Sequence, residues 1–247
     1  MRQVVIHIPH SSPYVPDFLR REMLVSDDEF HQDLLAFTDW HTRDLFTHVA
    51  FPTRVVFPVS RMVCDPERFR SDDLESMAAI GIGAVYLKDA FLRPLRRIDP
   101  LQRELLLRLY YDPHHRALTD AVDKALRQNG QCLVVDAHSF SATPLPYKPE
   151  QDDDRPDICI GTCAGHTPAL LKTRAVRFFR ERGFSVEVNY PYAGTMVPLK
   201  HLGDRRVQSV MVEINRRLYR HPEDFRTSSK YAFLKRTIGD FLETAAE

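Results

Sequence analysis

Three apolar runs of this chain end in residues that can do chemistry. Val4-Val5-Ile6-His7-Ile8 leads into Pro9-His10-Ser11-Ser12, Cys132-Leu133-Val134-Val135 leads into Asp136-Ala137-His138-Ser139, and Val207 to Val212 leads into Glu213-Ile214-Asn215-Arg216. Short apolar runs rich in β-branched residues read as strands buried on both faces of a sheet. Ligands of open α/β sheets gather at the carboxyl ends of such strands. Two histidines and a glutamate placed there suggest a metal-dependent hydrolase. Cleaving an amide near neutral pH requires a polarised carbonyl, a nucleophile made from water and a proton for the departing nitrogen. A zinc ion on three protein ligands with an open position meets the first two demands, and one carboxylate can carry the proton.

His10 and His138 are the first two candidate ligands. Either alone would commonly be structural, but both stand at the ends of buried strands. The third ligand is open among Asp39, Asp65 and Asp136. Asp39 is preferred, because Asp136 lies two residues before His138 on the same strand face and could serve to orient it instead. Glu213 either forms a structural ion pair with an arginine or acts as general base, and the second is favoured. Arg61 and Arg68 follow another strand and could clamp a carboxylate bidentately, unless they are surface charges. His7 reads as a core histidine, and His114-His115 fall in a long helical pattern. The sequence has no Gly-rich phosphate loop, no Gly-x-Ser-x-Gly elbow and no Cys-x-x-Cys pair, which weakens nucleotide, serine-hydrolase and redox alternatives.

The elements that must position these residues alternate between strand and helix. A helical stretch from Ser26 to about His48 has Ser26 as its cap, with a break expected near Phe37-Thr38-Asp39-Trp40. A strand follows at Arg54 to Val59. Residues 71–99 are irregular and could form a flap over the site. A long helix from about Pro100 to Gln128 is expected to turn Leu101, Leu105, Leu109, Leu118, Val122 and Leu126 inward, with Pro113 kinking or dividing it. Phe140 to Pro156, with the acidic run Asp152-Asp153-Asp154, reads as an exposed loop. Strands at 157–162 and 184–189, a helix opening at Thr167-Pro168 and a last helix from about Ser229 to Ala245 complete the pattern. The expected fold is α/β, one domain over residues 1–247, with a largely parallel mixed sheet flanked by helices on both faces.

The 247 residues carry 34 Lys plus Arg against 34 Asp plus Glu, so no overall field favours nucleic acid or an anionic membrane surface. Cys64, Cys132, Cys159 and Cys163 lack metal-knuckle spacing and read as reduced thiols. Neither a signal-peptide pattern nor a membrane-length apolar run is present, so a soluble cytoplasmic protein is expected.

Taken together and in order, His7-Ile8-Pro9-His10-Ser11-Ser12 with Val15-Pro16, Thr38-Asp39-Trp40-His41, Ser60-Arg61 to Asp65 and Arg68, Asp136-Ala137-His138-Ser139, Asn189 to Gly194 and Glu213-Ile214-Asn215-Arg216 resemble the N-formylglutamate amidohydrolase family. The resemblance implies a zinc-carboxypeptidase-like fold and a metal-dependent hydrolase. It also implies cleavage of a small N-acyl amino acid, N-formyl-L-glutamate foremost, as in histidine degradation. His10, an acid and His138 would hold zinc, Glu213 would act as the base, and Arg61, Arg68 and Tyr192 would bind substrate. A related amidase with another acyl-amino-acid or peptide substrate, and a non-catalytic anion-binding protein on the same fold, are the alternatives. Two positions depart from the pattern, and the tyrosine-rich Asn189-Tyr190-Pro191-Tyr192 segment differs from it in detail. Pro13 stands where the carboxypeptidase-like arrangement has its acidic ligand, and Glu67 stands where the family often has Asn. An acid at 67 would repel a dicarboxylate unless it points away.

Overall fold

A computed structural model of the chain describes residues 3–47, 53–148, 151–152, 154–221 and 226–246. The expected helix end at His48, and Asp153 of the acidic run, lie outside the described residues. Six strands form one sheet in the order β2-β1-β3-β6-β4-β5. They are β1 (Gln3–Ile8), β2 (Thr53–Val56), β3 (Cys132–Phe140), β4 (Ile158–Gly161), β5 (Val186–Val188) and β6 (Val207–Asn215). Neighbours are parallel except β4 against β6. The expected α/β fold with a largely parallel mixed sheet is therefore present.

Strand periodicity sorts side chains between the two faces. Val4, Ile6 and Ile8 of β1, Leu133, Val135 and Ala137 of β3, and Val210, Val212 and Ile214 of β6 pack in one cluster with α3 (Thr42–Thr47), α6 (Ala169–Arg180) and α7 (Tyr231–Ala246). On the other face Val5, Cys132, Val134 and Val207 pack beneath Leu118 and Val122 of α5 (Asp112–Asn129). Continuing that second face toward the carboxyl ends gives His7 on β1, Asp136 and His138 on β3, and Glu213 on β6. His7 is in register with Asp136, and His138 with Glu213. Four reactive side chains thus share one face at one sheet edge because the chain places them at even spacings from its apolar residues.

The helices follow their end signals. Ser26 caps α2 (Asp27–Phe37) in a reciprocal capping box with Glu29. The helix then stops at Thr38, and the chain turns through Asp39 before α3. Between α4 (Pro100–Leu106) and α5 lies a π-helical segment, Leu107–Tyr111. Pro113 lacks the N–H that would bond the Leu109 carbonyl, so the ladder opens at the turn before it. The inserted residue rotates the apolar stripe. Leu101, Leu105 and Leu109, expected to face inward, are 80%, 55% and 52% exposed, whereas Leu106, Leu107 and Tyr111 are buried. Leu118 and Val122 point inward as expected.

Residues 71–99 contain one 3₁₀ turn and two isolated bridges, and they do not form a flap. Val85, Tyr86, Ala90 and Leu95 are buried in the second core cluster, and no residue of the segment lines the cleft described below. Ser141, Thr143, Leu145, Tyr147 and Lys148 supply part of the cleft wall instead. Among the described residues no helix is long and apolar enough to cross a membrane, and all four cysteines are free thiols.

Candidate active site

Backbone contacts set the distances between the elements before any side chain acts. The Asp39 N–H donates to the His10 carbonyl at 2.9 Å, which ties the end of β1 to the break after α2. Ser60 donates to the Tyr14 carbonyl at 2.7 Å and holds the chain after β2 against the same loop. Asp65 then folds residues 60–68 around itself. Its Oδ1 accepts from the Glu67 N–H at 3.0 Å and from His10 Nε2 at 2.8 Å. Its Oδ2 accepts from Arg61 at 2.7 Å and from the Tyr86 hydroxyl at 2.5 Å. Burial opposes ionisation here, but Arg61 and His10 hold the carboxyl well below the usual carboxylate range. His115 adds a hydrogen bond of 2.7 Å to the Pro66 carbonyl.

That turn aims Glu67 at the histidines. Its carboxylate lies 3.2 Å from His138 Nε2, 4.0 Å from His10 Nδ1 and 3.8 Å from His7 Nδ1. His138 sits among acids: Nδ1 lies 3.1 Å from Asp39 Oδ2 and Nε2 3.1 Å from Asp136 Oδ1. Burial alone would lower the pKa of His138, but Glu67 and Asp136 raise it well above its ordinary value. Asp136 also accepts from His7 Nδ1 at 2.7 Å and from the Met196 N–H at 2.7 Å. Asp39 accepts further bonds from the Ser139 N–H and from Arg216, each at 3.2 Å. Burial, then Arg61, lowers the pKa of His10.

The structure brings His10, Asp39, Arg61, Arg68, His138, Tyr192 and Glu213 to one cleft of about 220 Å³. Asp65 and Asp136, the other candidate acids, lie directly behind the histidines. Among the described residues, three-donor groups with ligand atoms within 4.8 Å of one another are His10-Glu67-His138 and His7-Glu67-Asp136. Glu67 is therefore the acid common to both, where the sequence favoured Asp39. Among the described residues that line this space, three buried side-chain atoms have no hydrogen-bond partner: His10 Nδ1, Glu213 Oε2 and Arg68 Nε. An orphaned imidazole nitrogen beside a carboxylate and a second imidazole fits a divalent cation, and nitrogen and oxygen donors suit zinc. With His10 Nε2 held by Asp65, Nδ1 is the nitrogen left to coordinate. Glu213 is raised to about 8, chiefly by burial, with His138 opposing and Asp39 and Glu67 adding.

Sequence reasoning did not assign Glu67, Tyr86, Lys148 or Arg216 to the site. Arg61 faces the cleft but spends its Nε and one terminal nitrogen on Asp65 and Tyr86. His7 is fully buried and bonds His114 through the two Nε2 atoms at 2.9 Å, as a core histidine does.

The sheet is α/β and carries a buried cluster of histidines and acids at its carboxyl edge, with cations around the cleft, an arrangement that can hold a metal ion and an anionic ligand. Comparison with known proteins narrows the class. The family model for N-formylglutamate amidohydrolase matches residues 2–220. An N-formylglutamate deformylase of Pseudomonas aeruginosa is 30% identical over 193 residues, covering 73% of this chain and 70% of the relative. The chain belongs to the N-formylglutamate amidohydrolase family. Among solved structures, the N-formylglutamate amidohydrolase of Ralstonia eutropha superposes with a TM-score of 0.80 at 24% identity, over 99% of this chain and 94% of that one. A gene product of Agrobacterium tumefaciens superposes at 0.69 with 19% identity, over 100% and 92%. Both share the fold.

Proposed function

We propose that the protein is a single metal-dependent amidohydrolase domain that splits N-formyl-L-glutamate into formate and L-glutamate. The observation that carries this is the orphaned His10 Nδ1 facing Glu67 and His138 within 4.8 Å, on a chain whose family and curated relative are named for that reaction. His10, His138 and an acid would hold one divalent cation, zinc in our reading. Asp39 and Glu67 both reach the histidines. We favour Glu67, because Asp39 is already engaged by Ser139 and Arg216 and serves to orient His138. The cation, when bound, would polarise the formyl carbonyl and lower the pKa of water.

The remaining work falls to side chains. Glu213, across the strand pair from His138, takes a proton from the attacking water as its oxygen bonds to the formyl carbon. It then delivers that proton to the nitrogen as the C–N bond breaks. Burial supports the second half, since a carboxyl with elevated proton affinity holds a proton near neutral pH until the nitrogen leaves, and a bound cation would favour the carboxylate form that the first half needs. Asp65 and Asp39 fix the ring orientations of His10 and His138. Arg68 and Arg61 bias the cleft toward an anionic substrate, and Tyr192 forms part of its wall. We place this activity in a reducing cytoplasm, as the last step of a histidine-degradation route, with a small molecule and no nucleic acid or membrane as partner.

The test is formate release from N-formyl-L-glutamate before chelation, after chelation and after zinc is restored, with elemental analysis alongside. Activity lost to chelator and regained with zinc supports the reaction and the metal. Metal-loaded protein that releases no formate would discard the substrate and keep the hydrolase site. Protein with neither metal nor activity would favour an anion-binding role.

A further inference from the structure

Four Lys or Arg side chains line the cleft, Arg61, Arg68, Lys148 and Arg216, and they divide into two kinds. Arg61 is bonded to Asp65 and Tyr86. Arg216 is bonded to Asp39, to Ser139 and to the carbonyls of Leu35 and Ala36. Arg68 and Lys148 lack such anchors. The Arg68 Nε is buried without a hydrogen-bond partner, and its nearest carboxylates, Asp65 and Glu75, stand off at 3.7 Å each. Lys148 makes no ion pair with any described carboxylate. Its Nζ lies 4.6 Å from the centre of the Tyr192 ring and 5.6 Å from that of Tyr147.

We infer that Lys148 is a specificity-determining residue that receives the side-chain carboxylate of the substrate, while Arg68 receives the carboxylate next to the scissile amide. This rests on the proposed reaction and names the part of the site that selects a dicarboxylate. Lys148 has no ion pair and Arg68 only loose ones at 3.7 Å, so an incoming dianion would relieve the repulsion among the cations of this partly enclosed cleft. The strain is visible on Lys148, whose pKa falls to about 8 through burial and then through Arg68 and Arg61. Contacts place the two cations. Arg68 lies 3.7 Å from Asp65, the acid that holds His10 Nε2 at 2.8 Å, so it stands beside the histidine cluster. Lys148 lies on the 141–148 stretch of the cleft wall, against the Tyr147 and Tyr192 rings, and is assigned the group further along the substrate. Aromatic faces can hold an ammonium without neutralising it, so its charge stays available to a carboxylate.

Two readouts test the assignment. The first is kcat/KM for N-formyl-L-glutamate against N-formyl-L-glutamine, which replaces the distal carboxylate by an amide of the same shape. The second is calorimetric binding of glutarate against its monoamide, which needs no turnover. A charge-assisted contact in such a cleft predicts a preference of about 10- to 100-fold for the acid in the wild-type protein. In Lys148→Met the preference falls to near one, and Lys148→Arg recovers most of it. Equal losses on the acid and the amide would place Lys148 at the reacting group and overturn the proposal, as would a preference unchanged in Lys148→Met. If the wild-type protein releases no formate from either compound, the reaction reading fails. The binding arm still decides: acid preference absent from wild type, or retained in Lys148→Met, refutes the assignment.

Discussion

Asp33 offers a measurement of what a buried acid without a full set of partners costs this fold. It lies on the inner face of α2, fully buried. Its Oδ1 accepts from the Ala90 N–H at 3.2 Å, Oδ2 has no partner, and Arg93 approaches only to 3.7 Å. Burial, then the charge of Asp89, lifts its pKa from 3.8 to about 7. The folded state therefore binds the Asp33 proton more tightly than the unfolded chain does. The penalty is absent below the unfolded value, grows as pH rises from about 4, and is complete above pH 7. At 1.36 kcal/mol for each pH unit of that difference, the penalty is on the order of 4 kcal/mol. Arg93 and Glu29, 32% and 36% exposed, keep water near the cluster, which reduces it to about 2–4 kcal/mol. Asp33→Asn retains an oxygen for Ala90 and cannot ionise. In urea unfolding at stepped pH, the variant should gain on the wild type by most of that amount between about pH 4.5 and 7.5 and hold a constant lead above. A difference that stays flat to within about 0.5 kcal/mol over that window would refute it.

Four further outcomes bear on the site and the sheet. Glu213→Gln should lower the rate about 10²-fold or more while metal content stays at the wild-type level, read by formate assay and elemental analysis. His138→Ala should abolish metal retention. Glu67→Ala should weaken it more than Asp39→Asn does in competition with a chelator; the reverse order would return the third-ligand role to Asp39. Gly161→Ala, at the end of β4, would place a Cβ against the Gly194 carbonyl and the Met211 side chain. Overpacking of this kind costs about 1–3 kcal/mol, seen as a lowered midpoint in the same urea titration.

The sheet was legible because each strand announces itself by apolar runs of β-branched residues, and its parallel order follows from the helices between. His10, His138 and Glu213 could be named because a polar residue ending such a run is unusual enough to notice. Glu67 could not be found that way. It belongs to no periodic element, and its direction depends on Asp65 accepting the Glu67 N–H at 3.0 Å while Arg61, Tyr86 and His10 hold Asp65 still. A departure from the family's usual residue was the only mark on it. The stripe of Leu101, Leu105 and Leu109 failed for a different reason. A regular helical period was extended through Pro113, and the π-helical segment that proline imposes turns the stripe outward.

The distribution of satisfied and unsatisfied charge explains why the buried cluster can be both stable and reactive. Asp65 and Asp39 each have an arginine and a histidine, and Asp136 has two histidines and a backbone N–H. Breaking any one of these would leave a buried charge unpaired at a cost of several kcal/mol, and these contacts fix where His10 and His138 stand. The valences left over are a short set: His10 Nδ1, Glu213 Oε2 and Arg68 Nε, all without partners, and the Lys148 ammonium with only aromatic faces. One suits a cation, one can take and return a proton, and two suit carboxylates. An anionic amide bound beside a metal would complete all four at once. That is the physical reason to expect ligand and metal to stabilise this end of the sheet together, and separate melting curves with zinc, with glutarate and with both should show the combined shift exceeding the sum of the two.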